Sequence, residues 1–267
     1  MKAFLHYPGS KRRIAPWIIS HMPQHHSYLE PFFGGGAVLF EKKPAPIETI
    51  NDLDGDVVNF FRTIRNPESR KQLSEWLTYT PYAREIYDEI FLTQPRDQIE
   101  QAGYFTIRSM QSHGFRLTEK CGWKQDVHGR EAAYAVRSWN ELPEVLEEMA
   151  SRLKGVQIEC RPALDVIRAY SHPRVLIYAD PPYVLSTRNR KQYRHEMTDQ
   201  DHVELLETLL QSKAKVMLSG YDCDLYNDYL AGWHKEQIPT RAQNSLPRTE
   251  TLWMNYEIGQ STLNLII

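Results

Sequence analysis

A short apolar run, Val175-Leu176-Ile177-Tyr178-Ala179, stops at Asp180-Pro181-Pro182-Tyr183, and this junction constrains the chain more than any other segment. Five apolar residues ended by two prolines read as a buried strand with a rigid exit. The exit presents a carboxylate, a proline carbonyl without a competing N–H, and a flat aromatic ring. Those parts suit the chemistry of an amino group on a planar base. The exocyclic amine of adenine is a poor nucleophile because its lone pair is delocalised into the ring. Two acceptors aimed at its hydrogens, the Asp180 side chain and the Pro181 carbonyl, draw the nitrogen toward tetrahedral geometry. Tyr183 then stacks on a base that has left the duplex. Asp-Pro-Pro is also a good turn after any strand, and that plainer reading stands beside the chemical one.

A second feature lies near the other end. Tyr28-Leu29-Glu30-Pro31-Phe32-Phe33 leads into Gly34-Gly35-Gly36 and then Ala37-Val38-Leu39-Phe40, which reads as strand, glycine turn and helix start. A glycine triplet is not the full dinucleotide fingerprint and also suits a flexible loop. The next apolar stretch, Ile47 to Ile50, ends in Asn51-Asp52, where a nucleoside-binding α/β sheet places its ribose acceptor. Asp52 is therefore the candidate ribose ligand. Helix capping is its alternative role, although Asp54 and Asp56 lie closer to the amphipathic run Val57-Val58-Phe60-Phe61-Ile64.

With these segments in place, the chain resembles the DNA adenine N6-methyltransferases of the Dam-like class over most of its length apart from the middle. Tyr7-Pro8-Gly9-Ser10-Lys11 resembles the N-terminal cofactor motif, in which an aromatic residue and a lysine contact S-adenosylmethionine. Glu30-Pro31-Phe32-Phe33-Gly34-Gly35-Gly36 is similar to the glycine motif, Asn51-Asp52 to the ribose site, and Asp180-Pro181-Pro182-Tyr183 to the catalytic motif. A weaker match is Asp165, where the family has a carboxylate near the cofactor's adenine amine; Pro162 and Asp165 are equally plain helix-start chemistry. Lys11 follows a Pro-Gly turn and precedes Ile14, Trp17, Ile18 and Met22 on one helical face. It is thus expected at a helix N-terminus, holding the methionine carboxylate. The resemblance implies an α/β fold: a Rossmann-like methyltransferase sheet, mostly parallel with an antiparallel edge hairpin, plus an inserted, mainly helical target-recognition domain. It implies S-adenosylmethionine as cofactor and double-stranded DNA as partner.

Spacing supplies an independent constraint. Gly36 and Asp180 are 144 positions apart, and three βα units of roughly 25 residues leave an excess of about 70. The third strand reads as Val156 to Cys160, so residues 1–65 and 155–267 are expected to form the catalytic domain and 66–154 the insert. Helical patterns appear around Arg70 to Leu77, Ala83 to Leu92 and Leu142 to Leu153, about a less regular centre from Ser109 to Arg130. That centre carries Arg108, His113, Arg116, Lys120, Lys124, His128 and Arg130 against Glu119 and Asp126, with Phe115 and Trp123 among them. A basic, aromatic-containing helical module suits target recognition, with Arg116, Lys120 and Lys124 as candidate DNA contacts; a solvated loop with incidental charge has the same composition. Arg188, Arg190, Lys191, Arg194 and His195 form a second basic run, read as a phosphate-contacting loop that closes over the target or as a plainly disordered one.

The net charge of −2 is not that of a strongly basic DNA binder, so affinity has to come from these two regions. Three dispersed cysteines, Cys121, Cys160 and Cys223, suggest neither a disulfide framework nor a zinc site but reduced thiols in a cytoplasmic protein. No membrane span or signal peptide is expected, and no metal; a monomer is the simplest assembly. Farther on, Asp199 is expected to cap a helix through Leu210, and Ala214 to Ser219 reads as a fifth strand. Three stretches in the tail, Trp233 to Ile238, Glu250 to Tyr256 and Thr262 to Ile267, suggest an antiparallel edge hairpin; the loop between the first two carries Arg241 and Arg248. The expected reaction is direct displacement on the methyl group, with Asp180 essential and the Tyr183 ring mattering more than its hydroxyl. Two alternatives remain: a methyltransferase acting on RNA adenine or a protein amide, and a catalytically silent DNA-binding relative.

Overall fold

A computed structural model describes residues 5–113, 119–128, 133–188, 191–241 and 247–257. Arg116 and Arg190, two of the expected DNA contacts, and the stretch Thr262 to Ile267 lie outside these residues, as do Phe115 and Arg130. After a short helix, α1 (Ala15–Ser20), strand β1 (Ser27–Glu30), helix α2 (Ala37–Glu41), strand β2 (Ile47–Asn51) and helix α3 (Gly55–Arg65) follow in alternation. Asp54 caps α3 by accepting the Asp56 N–H at 2.9 Å, which leaves Asp52 outside the helix. The apolar stripe anticipated for α3 is buried, and Phe61 meets Phe33 edge-on at 4.8 Å, tying α3 to the loop after β1.

Between α3 and the next strand of the sheet lie α4 (Pro67–Tyr79), α5 (Arg84–Glu89), α6 (Gln98–Gln111), a small ribbon of β3 (Ser112–His113) and β4 (Gly122–Trp123), then α7 (Tyr134–Asn140) and α8 (Leu142–Leu153). Helix α6 runs for 14 residues where no helical pattern stands out in the sequence. Its obstacle is Gly103, a residue that weakens helices. The structure explains it: a Cβ there would lie 2.5 Å from the Trp76 ring of α4, so only glycine lets the two helices approach. Leu73, Leu77, Phe105, Leu146 and Met149 belong to the same apolar core as Ile50 of β2 and Val57 and Phe60 of α3. The helical region thus shares its core with one face of the sheet.

The chain returns to the sheet with β5 (Val156–Glu159), α9 (Ala163–Ala169), β6 (Val175–Ala179), α10 (Asp199–Leu210), β7 (Lys215–Tyr221), α11 (Asp224–Tyr229), β8 (His234–Arg241) and β9 (Pro247–Met254). Helix α10 is capped by Thr198, not Asp199: Thr198 and Asp201 form a reciprocal capping box, and Asp199 is already helical. The hydroxyl one residue upstream reaches the free N–H of Asp201, which a side chain inside the helix does not.

Among the described residues, the strands other than the β3–β4 ribbon form one seven-stranded sheet in the order β5-β2-β1-β6-β7-β9-β8. The first five are parallel, and β9 runs antiparallel to both β7 and β8. The tail is therefore an antiparallel hairpin whose second arm, β9, is the one that joins the sheet. All five residues of β6 are buried, as a central parallel strand with both faces covered requires. This is a doubly wound, Rossmann-like α/β sheet. From β1 the chain winds outward to β2 and β5, then crosses back to β6 on the other side of β1. Connections leave in opposite directions at the carboxyl ends of β1 and β6, and a crevice opens there. Among the described residues no helix is long and apolar enough to cross a membrane.

Candidate active site

The crevice at this switch point is a cavity of about 270 Å³. Its walls come from Tyr7 to Lys11, Glu30 to Val38, Asp52 to Asp54, Pro162 to Leu164, Asp180 with Pro182, and the loop Tyr193 to Met197. The carboxylate after β6 and the glycine turn after β1 thus border one space, although 144 positions separate Asp180 from Gly36.

Asp180 is held from two sides. Ser219 on β7 donates to Oδ1 at 2.9 Å, and the Lys11 ammonium meets Oδ2 at 2.8 Å. Lys11 also donates to the Gly9 carbonyl at 2.9 Å, stands 3.7 Å from Glu250 on β9, and lies 4.7 Å from the centre of the Tyr183 ring. Burial by itself depresses an ammonium pKa, but Asp180 and Glu250 outweigh it and hold Lys11 above its ordinary value. The Tyr183 hydroxyl donates to Glu250, and its ring meets Tyr221 edge-on at 4.7 Å. Glu250 is pushed up to about 7, by burial above all; Lys11 works against that shift and the charge of Asp180 adds to it. Pro181 and Pro182 are buried, and Pro182 faces the cleft.

These contacts correct the expectation for Lys11. Helix α1 begins at Ala15, and the Lys11 side chain is buried against two carboxylates instead of projecting from a helix end. An ammonium committed to two carboxylates has little left to hold a third. The Tyr183 hydroxyl also has a buried partner that its sequence context does not reveal.

On the opposite wall, Asp52 accepts the Gly34 N–H at 2.8 Å and the Asp54 N–H at 2.9 Å. Burial lifts its pKa to about 6 against the pull of these two amides. Asp52 lines the cleft and keeps acceptor capacity beyond these amides. The glycine turn is shaped by packing as much as by backbone freedom. Gly34 has φ +51°, and a Cβ there would meet the Tyr7 ring at 2.7 Å, so Tyr7 lies directly on the turn. Gly36, also left-handed, occupies the N-cap of α2. Glu30 lines the cleft, fully buried with the Tyr28 hydroxyl donating at 2.5 Å; desolvation pushes its carboxyl up to about 8. Pro31 and Phe32 complete this wall.

Among the described residues, the basic run after β6 does not present a row of free cations. Arg188 donates to the Tyr183 carbonyl at 2.7 Å and forms a two-pronged pair with Glu196. Glu196 in turn accepts the backbone N–H groups of Gln192 and Tyr193. Arg194 reaches across the cleft to Asp54 at 3.2 Å and Asp56 at 2.5 Å. Two expected phosphate contacts are thus internal braces, because carboxylates distant in sequence lie within their reach. They fold the loop over the cavity, with Tyr193 against the Tyr7–Gly9 turn. Lys191 is exposed. In the helical region Arg108 pairs with Asp56 at 3.3 Å, Lys120 is exposed and paired with Asp88 at 2.9 Å, and Lys124 is half-buried near the β3–β4 ribbon.

Asp165 is a further correction. It is exposed on the first turn of α9 and faces Arg168 at 3.5 Å, while Pro162, Ala163 and Leu164 line the cleft. The helix turns its third residue away from the wall that its cap and first two residues form. Conversely, Glu250, Ser219 and Tyr193 join the site without any signal in the sequence. Glu250 heads the stretch expected as a strand from Glu250 to Tyr256, where an acidic residue reads as solvent-facing; in the structure it lies inside β9 and is buried. Among the described residues no group of three or more metal-ligating side chains converges.

Known proteins bear on this geometry. The family model for D12 class N6 adenine-specific DNA methyltransferases matches residues 7–244. The chain is 28% identical to the type II methyltransferase M1.LlaDCHI of Lactococcus lactis, with 96% of each chain covered. It is 25% identical to the type II methyltransferase M.MjaIII of Methanocaldococcus jannaschii, with 89% of this chain and 91% of that one covered. It is also 22% identical to the DNA adenine methylase of Salmonella typhimurium, covering 98% and 97%.

Proposed function

The chain belongs to the D12 class N6 adenine-specific DNA methyltransferase family, and on that footing we propose that its cleft binds S-adenosylmethionine while the Asp180–Tyr183 segment receives an adenine flipped out of DNA. The enzyme transfers a methyl group from S-adenosylmethionine to N6 of adenine in DNA. The observation that carries the site assignment is the meeting of Asp180 with the glycine turn and Asp52 around one cavity at the switch point.

The residues present fit the cofactor. Asp52 offers an acceptor for a ribose hydroxyl at the end of β2, Phe32 and Pro162 to Leu164 offer apolar walls for a purine, and the turn from Phe33 to Gly36 brings backbone close to the cavity. Bound there, S-adenosylmethionine supplies a methyl group on a positively charged sulfur. The chain's own part is positioning and polarisation. Asp180 accepts one N6 hydrogen and the Pro181 carbonyl the other, which concentrates the lone pair on nitrogen. Ser219 fixes the Asp180 carboxylate by donating to its Oδ1. Tyr183 is the stacking face, and Tyr221 and Glu250 hold its ring in place. The segment from Tyr193 to Met197 covers the cavity and keeps water from it.

DNA contact is assigned to the helical region 66–154, through Lys120 and Lys124, and to Lys191 on the covering loop. The enzyme is placed in the cytoplasm and functions as a monomer. Expressing the chain and sequencing host DNA for N6-methyladenine tests the reading. Methylation at one short sequence, abolished by Asp180→Ala, supports it; unmodified DNA from wild-type protein that binds S-adenosylmethionine refutes it.

A further inference from the structure

The Lys11 ammonium occupies the place that N6 chemistry assigns to another amine. It donates to Asp180 Oδ2 at 2.8 Å and stands 4.7 Å from the centre of the Tyr183 ring. Those are the acceptor and the stacking face given above to the flipped adenine. The two cannot use them together. The Lys11–Asp180 pair also marks a boundary: both residues line the cofactor cavity, whereas Tyr183 and Glu250, which Lys11 also approaches, do not.

A base that enters must displace a buried cation, and a buried ammonium stripped of its counter-charge is strongly disfavoured. Glu250 offers the replacement. Its Oε1 is 3.7 Å from Lys11 Nζ, its side chain is only 6% exposed, and the Tyr183 hydroxyl anchors it. Strand β9 holds it opposite Tyr221 of β7, and it does not line the cavity. We propose that Glu250 is a positioning residue that takes over the Lys11 ammonium when the adenine amine replaces it on Asp180. The inference rests on the N6-adenine reading of the site. No bond is made or broken in the exchange and the charge of the cluster is unchanged; rotation of the Lys11 side chain suffices. Its effect is to uncover the negative charge of Asp180 just as N6 becomes positive. Lys11 thereby excludes water from Asp180 until a base arrives, and Glu250 makes its departure cheap.

The test uses full-length protein and its own methylation sequence, read first by sequencing DNA modified by the wild type. Absence of N6-methyladenine at that stage would overturn the underlying reading and the inference with it. Given methylation, kcat and the cofactor KM are compared for wild type, Glu250→Gln, Lys11→Met and the double variant. Binding is measured in parallel on duplexes carrying adenine or unsubstituted purine, which lacks the amine, at the target position. Glu250→Gln is expected to lower kcat by about tenfold or more with the cofactor KM within about twofold, and Glu250→Asp to recover part of the loss. It should shrink the preference for adenine over purine by about fivefold in the wild-type background and leave it unchanged beside Lys11→Met. The binding comparison holds even where Lys11→Met has no turnover. Equal effects of Glu250→Gln on that preference in both backgrounds, or none in either, would overturn the proposal.

Discussion

Replacement of Arg194 by alanine separates two roles for the loop that covers the cavity. In the structure its guanidinium joins Asp54 at 3.2 Å and Asp56 at 2.5 Å, at the start of the helix that follows the ribose-site residue. At an effective dielectric near 20, the two contacts are worth about 5 and about 7 kcal/mol of bare Coulomb attraction. The side chain is 37% exposed, however, and Asp56 keeps Arg108 at 3.3 Å and Gln101 at 2.7 Å when Arg194 is removed. Solvent screening and side-chain entropy leave about 1–2 kcal/mol for the latch as a whole. If the cofactor binds beneath the closed loop, that loss weakens S-adenosylmethionine binding by about 5- to 30-fold. Calorimetric titration of the cofactor without DNA reads the effect directly. A phosphate contact behaves differently: it leaves cofactor affinity unchanged and reduces the salt dependence of DNA binding by about 0.9 in the log–log slope. Cofactor affinity equal to wild type, with a reduced salt slope, would refute the latch and restore the role that the sequence suggests for Arg194.

Other outcomes follow from the same contacts. Asp180→Ala should abolish methyl transfer while cofactor binding persists, since Asp52 and the glycine wall are untouched; near-normal turnover in a methylation assay would remove Asp180 from the mechanism. Because the Tyr183 hydroxyl donates to buried Glu250, Tyr183→Phe should cost about 1–2 kcal/mol, roughly tenfold in kcat, with Tyr183→Ala lower still; a fully active Phe variant would leave the hydroxyl without a function. Glu30 holds its proton up to about pH 8 in the fold, against an ordinary value of 4.5. The folded state therefore binds the extra proton between those limits, and stability falls as pH rises through that window. Glu30→Gln should flatten denaturation midpoints between pH 5 and 8 by an amount on the order of 3–5 kcal/mol, and an unchanged pH dependence would contradict the assignment.

Much of the parallel sheet is legible in the order of residues alone. Strands buried on both faces must be short apolar runs, and the residues at their carboxyl ends must be the ones that face a crevice; Asp52 and Asp180 stand out for that reason. Helices α4, α5 and α8 announce themselves through periodicity, whereas α6 hides behind Gly103, whose purpose is a close approach to Trp76. The motif residues Tyr7, Glu30, Gly34, Asp52 and Asp180 all reach one cavity. Asp165 does not, because its place on a helical turn, not its distance along the chain, decides which way it faces.

Charge partners are a different matter. The sequence alone establishes which residues carry charge and which strand ends carry them, since both follow from local composition and pattern. It does not establish that Lys11 lies between Asp180 and Glu250, or that Arg188 and Arg194 turn inward to Glu196, Asp54 and Asp56. An ion pair depends on a separation of a few ångströms between side chains, and folding sets that separation across up to 239 positions of chain, the span from Lys11 to Glu250. Local pattern thus determined the sheet and its chemistry-bearing ends, while tertiary packing decided which charges are free to meet a ligand and which are already spent on each other.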